Sequence, residues 1–327
     1  MSLRRMARRC SRRLVVDTAA WMGVDGLMRS HECREIRHRR TQVVRVLFLH
    51  ESSPAHAERF RRQMVWMRDH FNVIDFEMFK RLFEGGLVLQ DERPAVLLTF
   101  DDGLASNYDV AAPILEEAGM RGLFFVVPRF SASAGDEGRR FYLEHIRNRW
   151  PALNPMTPEQ IRDLAARGHT IGNHTMSHAR LSEIPEAEYE SEIVESAAII
   201  ESWIGHPVEA FAWPLLWNAI TPEAHRVACR RHPYCFTPCS GRMDLQTDLP
   251  CLIWRTSIEA SYDAAEFRFK CSSLADAVSA GRRRHLVRML LDHELPRRTW
   301  SERAVFPRGW SMLQSLKRNV SPTVARQ

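Results

Sequence analysis

Apolar residues along this chain recur in short runs that alternate with longer amphipathic stretches. The runs predict strands over 43–49, 73–76, 95–100, 122–127, 169–172, 211–213 and 253–258. The stretches between them predict helices over 57–71, 78–85, 108–118, 158–167 and 185–204. Strands that alternate with helices are typical of a parallel sheet with helical crossovers. No dinucleotide-binding glycine pattern follows the first strand, which favours a barrel over a doubly wound nucleotide-binding sheet.

The charge pattern divides the chain into three parts. The 327 residues carry a formal net charge of +6, and arginines are concentrated near both ends. We therefore predict a basic N-terminal extension over 1–40, a domain over 41–275 and a basic C-terminal extension over 276–327. No aromatic interleaving accompanies the arginine runs, so we expect solvated arms and no nucleic-acid partner. Peripheral membrane contact through an amphipathic helix at Arg4–Met28 stays open.

The N-terminal segment does not have the pattern of a secretory signal. Asp17 and Asp25 interrupt its apolar stretch, and no run of about 18 apolar residues occurs elsewhere. We expect a cytoplasmic protein, or one at the inner face of the membrane, with reduced thiols.

Four potential metal ligands lie close together in the second half of the chain. Cys229, His232, Cys235 and Cys239 fall within 11 residues, and His225 stands just before them. Structural zinc is one interpretation, but Pro233 and the irregular spacing favour the other, buried thiols in a loop.

Two polar clusters follow predicted strands and carry the candidate chemistry. Asp101, Asp102 and Gly103 end the strand 95–100, and the two carboxylates leave that strand in different directions. One can bind a metal while the other accepts a proton, although such a tripeptide also makes turns.

The second cluster contains His174 and His178, which follow the strand 169–172. Two histidines four residues apart can share one side of a helical turn and hold one cation. Neutral imidazole together with a carboxylate suits Zn²⁺ and other transition metals. Because both clusters fall at the carboxyl ends of strands, they predict one shared metal site.

The two clusters and their context resemble one known family. Thr99–Gly103 (TFDDG), followed by Ala111–Leu115 (AAPIL), and His174–His178 (HTMSH), preceded by Gly168–Asn173 (GHTIGN), are similar to motifs of the polysaccharide deacetylases. These proteins share the NodB homology domain and form carbohydrate esterase family 4. The resemblance covers about residues 43–260 and implies a deformed (β/α) barrel of about seven parallel strands.

The resemblance also implies a site and a reaction. Asp102, His174 and His178 would bind a divalent metal, Zn²⁺ in the first place, with Co²⁺ or another transition metal as alternatives. Asp101 would be the general base that removes a proton from water as it attacks the acetamide carbonyl carbon. The expected partner is an N-acetylated carbohydrate.

Two parts of the family pattern are altered in this chain. The third motif corresponds to Phe211–Trp217 (FAWPLLW), which keeps the proline but lacks the arginine and the glycine. Leu215 can still offer its N–H to an oxyanion, and Trp213 or Trp217 could stack on a sugar face, with core packing as the alternative. The family also places a histidine acid near the end of the barrel, for which His285 and His293 are the nearest candidates and His293 is the one we name. If His293 is not the acid, Asp101 or metal-bound water would protonate the amine.

Three functions fit these observations. The first is an N-deacetylase acting on a polysaccharide, an oligosaccharide or a lipid-linked sugar intermediate, in bacterial surface-polysaccharide synthesis. The second is a related C–N hydrolase, such as a sugar deformylase or a small amidase. The third is a catalytically inactive carbohydrate-binding relative, which the altered third motif favours and the intact aspartate and histidine residues oppose.

Overall fold

The computed structural model describes residues 26, 30–34, 43–133, 135–147, 151–273, 276 and 279–291. The predicted amphipathic segment Arg4–Met28 lies almost entirely outside these ranges, and His293 lies outside them. Within the described ranges, every helix is too short or too polar to cross a lipid bilayer.

Ten short strands form one sheet in the described part of the chain. They are β1 (Val43–Leu49), β2 (Asn72–Ile74), β3 (Ala95–Phe100), β4 (Leu123–Val126), β5 (Thr170–Asn173), β6 (Ala210–Ala212), β7 (Tyr234–Thr237), β8 (Arg242–Asp244), β9 (Ile253–Trp254) and β10 (Thr256–Ser257). Each strand predicted from an apolar run is present, with bounds within two residues of those predicted, and the last run is divided into β9 and β10.

The order of the strands shows that the sheet curls into a nearly closed barrel. Strands β1, β3, β4, β5, β6, β7 and β9 are neighbours in that order and pair in parallel, except that β9 does not reach β1. Instead, β10 pairs in parallel with β1. Because only Arg255 separates β9 from β10, this one segment contacts both ends of the strand order. The predicted deformed barrel of about seven parallel strands is therefore confirmed.

Helices cover the outside of the barrel. Those in the described ranges are α1 (Ala57–His70), α2 (Phe76–Phe83), α3 (Ala112–Glu117), α4 (Pro128–Ser131), α5 (Gly135–Phe141), α6 (Pro158–Ala166), α7 (Ser196–Ile204), α8 (Pro222–Arg231), α9 (Ala264–Lys270) and α10 (Ala280–Leu291). Side-chain caps define several starts: Asp75 accepts from the N–H of Met78 at 2.7 Å, and Thr157 forms a capping box with Gln160.

Each strand divides its side chains between two buried layers. Val44 and Val46 of β1 belong to one apolar cluster, whereas Leu47 and Leu49 belong to another. This alternation is the two-residue period of a strand that is covered on both faces. The first cluster includes the barrel interior, and the second lies between the sheet and helices such as α1 and α3. Residues two positions apart therefore share a face, and this alternation continues into the residue that follows a strand end.

In the described part of the chain, two strands (β7 and β8) and five helices (α4, α5, α8, α9 and α10) lie where the sequence predicted none. Strand β7 occupies the cysteine-rich stretch that was interpreted as a loop, and β8 pairs antiparallel with β1. Strand β7 is only four residues long and helix α8 before it is rich in arginine and histidine, so neither gives a clear apolar period. The interpretation of residues 229–239 as a loop is wrong, because they run from α8 through β7.

Parts of both predicted extensions contact the barrel. Arg45 of β1 is buried and binds Asp276 at 2.9 and 3.1 Å, and it also pairs with Glu32. Further on, Leu286 and Leu290 of α10 are buried in the same apolar cluster as the barrel interior. The structure thus places Glu32, Asp276, Leu286 and Leu290 against the barrel, and the predicted domain bounds stay a prediction.

Gly172 of β5 sits where the barrel has no room for a side chain. A Cβ atom at this position would lie 2.5 Å from two ring atoms of Phe125 on the neighbouring strand. We expect Gly172→Ala to lower the free energy of unfolding by about 1–3 kcal/mol through overpacking. Chemical denaturation measures this, and Gly86→Ala, where the nearest atom is 3.7 Å away, is the matched control. Equal midpoints for the two variants would contradict the expectation.

Candidate active site

Three predicted metal ligands converge at the carboxyl ends of the strands. Asp102 follows β3, and His174 and His178 follow β5. Oδ1 of Asp102 lies 3.5 Å from Nε2 of His174 and 3.5 Å from Nε2 of His178. Two ligands of a tetrahedral zinc ion with bonds of about 2.0–2.1 Å stand about 3.4 Å apart, so one ion fits between these atoms.

Backbone acceptors fix the orientation of both imidazoles. Nδ1 of His174 lies 2.8 Å from the carbonyl oxygen of Ala212, and Nδ1 of His178 lies 3.0 Å from that of His145. Each Nδ1 therefore donates its hydrogen to a carbonyl, which leaves a lone pair on Nε2. This is the arrangement that presents a neutral histidine to a metal ion.

The carboxylate of Asp102 has the surroundings expected of a metal ligand. Both of its oxygens are buried, and neither has a hydrogen-bond partner in the described part of the chain. The nearest cation is Arg147, whose Nε stands 3.6 Å from Oδ2. A buried carboxylate without partners costs several kcal/mol, and a cation held with the two imidazoles would offset this cost. The residues present fit a divalent metal.

The histidine motif does not form the helical turn that was expected. Residues 174–178 form a loop after β5, in which Thr175 and His178 have φ angles of 67° and 62°. Glu192 holds this loop, because it accepts from the N–H of Ser177 at 3.0 Å and from its hydroxyl at 2.6 Å. The two histidines share one side because the loop folds back, and the prediction of a helical turn is wrong.

Backbone strain in the described chain is concentrated at this site. The described residues other than glycine with positive φ are Asp102, Thr175, His178 and Leu215. A left-handed conformation is unfavourable for residues with a Cβ atom and persists only where the surrounding structure imposes it. All four residues belong to the motifs that sequence analysis singled out, which is the distribution expected of a functional site.

Arg255 holds the predicted base, Asp101. Its guanidinium donates to both carboxylate oxygens, with NH1 2.7 Å from Oδ1 and NH2 3.0 Å from Oδ2. Both side chains are buried, with exposures of 0% and 3%. Burial is the largest single influence and opposes ionisation, but the charge and hydrogen bonds of Arg255 together with His174 and His50 outweigh it, so the pKa of Asp101 lies below its ordinary value.

Arg255 takes the place of an arginine that the third motif lacks. It separates β9 from β10, and its guanidinium stacks 4.6 Å from the centre of the Phe48 ring inside the barrel. Sequence analysis missed this residue. An arginine within the apolar run Ile253–Ile258 was the available signal, because an unpaired charge in a buried strand is costly.

The third-motif residues occupy different environments. Leu215 has a φ of 63° and is 39% exposed. Trp213 is 1% exposed and packs against Phe211 with ring centres 5.2 Å apart, so its ring lies in the core. Trp217 is partly buried and meets the ring of His285 at 5.5 Å.

His50 directly follows the apolar run 43–49, and sequence analysis did not single it out as a site residue. It lies two residues after Phe48, and therefore on the interior face of β1, with Asp101, Asp102 and His174 among the charges that act on it. Burial is the main cause that lowers the pKa of His50 to about 4, so its imidazole is neutral at neutral pH. Its position beside both carboxylates makes it part of the site.

The fold and the site define a parallel α/β barrel with a candidate metal site of one aspartate and two histidines, beside a second aspartate held by arginine. Residues 89–226 match the family described as Polysaccharide deacetylase. The resemblance seen in the two motifs is thereby confirmed over this region of the chain.

Individual relatives agree with this assignment. YxkH of Bacillus subtilis (strain 168), which is named as a polysaccharide deacetylase, is 23% identical over 207 residues, 61% of each chain. A peptidoglycan-N-acetylglucosamine deacetylase of Bacillus cereus is 27% identical over 114 residues, 34% of this chain and 32% of the relative. The matches thus span less than two thirds of the length of these relatives.

A solved structure has the same fold. The Streptococcus pyogenes deacetylase PplD, in complex with acetate, superposes with a TM-score of 0.54 at 19% identity. The match covers 69% of this chain and 96% of that protein.

Proposed function

We propose that this protein is a metal-dependent hydrolase that removes the acetyl group from the nitrogen of an amino sugar. The observation that carries the proposal is the meeting of two carboxylates with different surroundings. Asp102 faces two imidazole nitrogens at 3.5 Å and has no hydrogen-bond partner in the described chain, whereas Asp101 is held ionised by Arg255. One carboxylate is thus arranged to bind a cation, and the other to accept a proton.

A divalent cation held by Asp102, His174 and His178 would polarise the acetamide carbonyl and make water acidic enough to attack it at neutral pH. Asp101 lies next in the chain to one of these ligands, and as an ionised carboxylate it accepts the proton that water loses. Because both of its oxygens are bound to Arg255, the carboxylate is fixed in orientation as it does so.

The sugar nitrogen needs a proton before the acetate departs. Asp101 takes up a proton from the attacking water. Transfer of this proton to the nitrogen balances the reaction. Leu215 follows the carboxyl end of β6 in a strained conformation, and its backbone N–H is the group we propose for stabilising the oxyanion.

The substrate class follows from the relatives and from the rim of the site. One relative is named for peptidoglycan N-acetylglucosamine, and PplD was solved with acetate. In this chain Leu215 and Leu216 are 39% and 61% exposed beside the site. Such an apolar rim suits the C–H face of a sugar ring. We infer that the substrate is an N-acetylated polysaccharide, oligosaccharide or lipid-linked sugar.

Metal removal tests the proposal. We expect acetate release from N-acetylated oligosaccharides to stop after chelation and to return when Zn²⁺ or Co²⁺ is added. His174→Ala should lose both activity and active-site metal, because one of three ligands is gone. Acetate release and metal content are measured together, and N-formyl sugars and simple amides are assayed in parallel.

The matched control is His206→Ala, because His206 is exposed and its Nδ1 contacts only the backbone of Pro207 at 3.3 Å in the described chain. This variant should keep both activity and metal. Full acetate release by the chelated protein, or by His174→Ala, would refute the metal-dependent mechanism. Preference for formyl sugars or simple amides would move the assignment to another C–N hydrolase.

A further inference from the structure

A second group of metal-ligand side chains lies away from the active site. His225, Cys229 and Cys251 present atoms that all lie within 4.8 Å of one another. Cys235 joins them, because its Sγ lies 4.0 Å from Sγ of Cys229. We refer to these four residues as the cysteine–histidine cluster.

The cluster differs from the set of ligands expected from the sequence. His232 turns its ring toward Phe211, with ring centres 5.3 Å apart, and Asn173 lies 3.4 Å from its Nε2. Cys235, His232 and Cys239 lie outside the group of described residues whose ligand atoms are all within 4.8 Å of one another, but the thiol of Cys235 contacts that of Cys229, whereas the ring of His232 faces Phe211. The sequence brought together three of the four members, His225, Cys229 and Cys235. The fourth, Cys251, comes from the segment before β9.

The distances within the cluster fit a tetrahedral ion. Sγ of Cys229 lies 3.4 Å from Nε2 of His225 and 4.0 Å from Sγ of Cys235. Around zinc, with bonds of about 2.3 Å to sulfur and about 2.0 Å to nitrogen, these edges would be about 3.5 Å and about 3.8 Å. The thiol of Cys251 contacts both Cys229 and His225. His225, Cys229 and Cys251 present ligand atoms within reach of one ion, and the thiol of Cys235, which lies outside that group of three, would turn further toward it to become the fourth ligand.

Regular secondary structure holds the cluster in place. His225 and Cys229 are four residues apart on α8, and therefore on one side of that helix. Cys235 is the second residue of β7, and Cys251 lies two residues before β9. The N–H of Cys235 donates to the carbonyl of Pro250 at 2.9 Å, which fixes these two segments against each other.

The cluster offers four protein ligands, against three in the active site, and Cys229 and Cys251 are partly exposed. His225 and Cys235 are buried, with exposures of 5% and 0%, and the ring of Trp213 lies 6.1 Å from that of His225. Cys235 and Cys251 lie toward the amino ends of their strands, and so at the opposite end of the barrel from Asp102. Closed sites of three cysteines and one histidine are characteristic of structural zinc.

We propose that His225, Cys229, Cys235 and Cys251 bind one structural zinc ion that joins α8 to β7 and β9. The three thiols lose their protons to solvent as the ion binds, and the ion forms one bond to each sulfur and one to an imidazole nitrogen. This site is independent of the proposed deacetylase reaction, since it shares no ligand with Asp102, His174 and His178.

Zinc analysis of a chain without its active-site ligands tests the proposal. Asp102→Asn combined with His174→Ala should retain about one zinc per chain after dialysis, because the second site is intact. Adding Cys229→Ser and Cys251→Ser should remove that zinc and lower Tm. Adding Cys239→Ser instead is the matched control, a buried cysteine outside the cluster, and should leave the zinc content unchanged.

X-ray absorption of the Asp102→Asn/His174→Ala protein supplies a measurement that does not depend on the serine variants folding. Sulfur scatterers at about 2.3 Å with one nitrogen at about 2.0 Å are expected. A spectrum with only nitrogen and oxygen ligands, or a chain that retains no zinc, would overturn the proposal. So would an intact mass two hydrogens lower under non-reducing conditions, which would show that cluster cysteines form a disulfide. If this variant does not fold, the same spectrum of the unmodified chain decides through its sulfur scattering.

Discussion

Asp101→Asn is expected to lower kcat for acetate release by about 10²–10⁴-fold, the usual contribution of a positioned general base. Asparagine has nearly the same shape as aspartate, but it cannot accept the proton that water loses. Because Asp102, His174 and His178 are unchanged, the metal content should stay at its normal value. Steady-state kinetics and metal analysis of the same preparation measure both quantities.

The matched control is Asp109→Asn, an exposed aspartate on the helical segment that follows the site. Its kcat should stay within twofold of the unmodified protein. If Asp101→Asn kept full activity with its metal in place, Asp101 would not be the base. The proton would then have to pass to another group of the site.

The second large effect is expected at Arg255. Arg255→Met leaves the charge of Asp101 buried without its partner, and such a change typically costs about 3–5 kcal/mol of folding free energy. Activity should fall as well, because neither oxygen of Asp101 is then held in place. Chemical denaturation measures the first effect, and kcat of the folded fraction measures the second.

A double-variant cycle separates the ion pair from simple packing. Adding Asp101→Asn to Arg255→Met removes the unpaired charge, so much of the lost stability should return. Arg255→Lys keeps a positive charge but cannot donate to both oxygens in the same way, so it should be intermediate in stability. Additive losses in the double variant would show that Arg255 acts through packing rather than through Asp101.

The barrel could be predicted well from the chain because its strands are continuous apolar runs. β1 and β3 are buried on both faces, so apart from Arg45 and Thr99 each consists of apolar residues with clear ends. Strand β7, at four residues, and the two-residue strands β9 and β10 are too short for a period to be recognised. These short strands form because the barrel provides neighbouring strands to pair with. Those neighbours come from distant parts of the chain, so the local sequence does not reveal them.

The site was predictable to a similar degree. Asp102, His174 and His178 stand in two motifs, and the rule that strand ends share one edge of a parallel sheet brings those motifs together. Arg255 and His50 are single residues outside any motif, and only the closed barrel places them beside Asp101. The prediction of a helical turn for His174 and His178 was wrong because a spacing of four residues fits both a helix and a loop that folds back.

The position of Arg255 between β9 and β10 links catalysis to the last stage of assembly. β9 pairs with β7, and β10 pairs with β1. This arginine therefore reaches Asp101 only after the two edges of the sheet have come together. A partly folded chain can already bring the aspartate and histidine motifs near each other through β3, β4 and β5. Such an intermediate would have a cation-binding pocket, but its base would not yet be held by Arg255. Hydrolytic activity would therefore appear only after β10 has paired with β1.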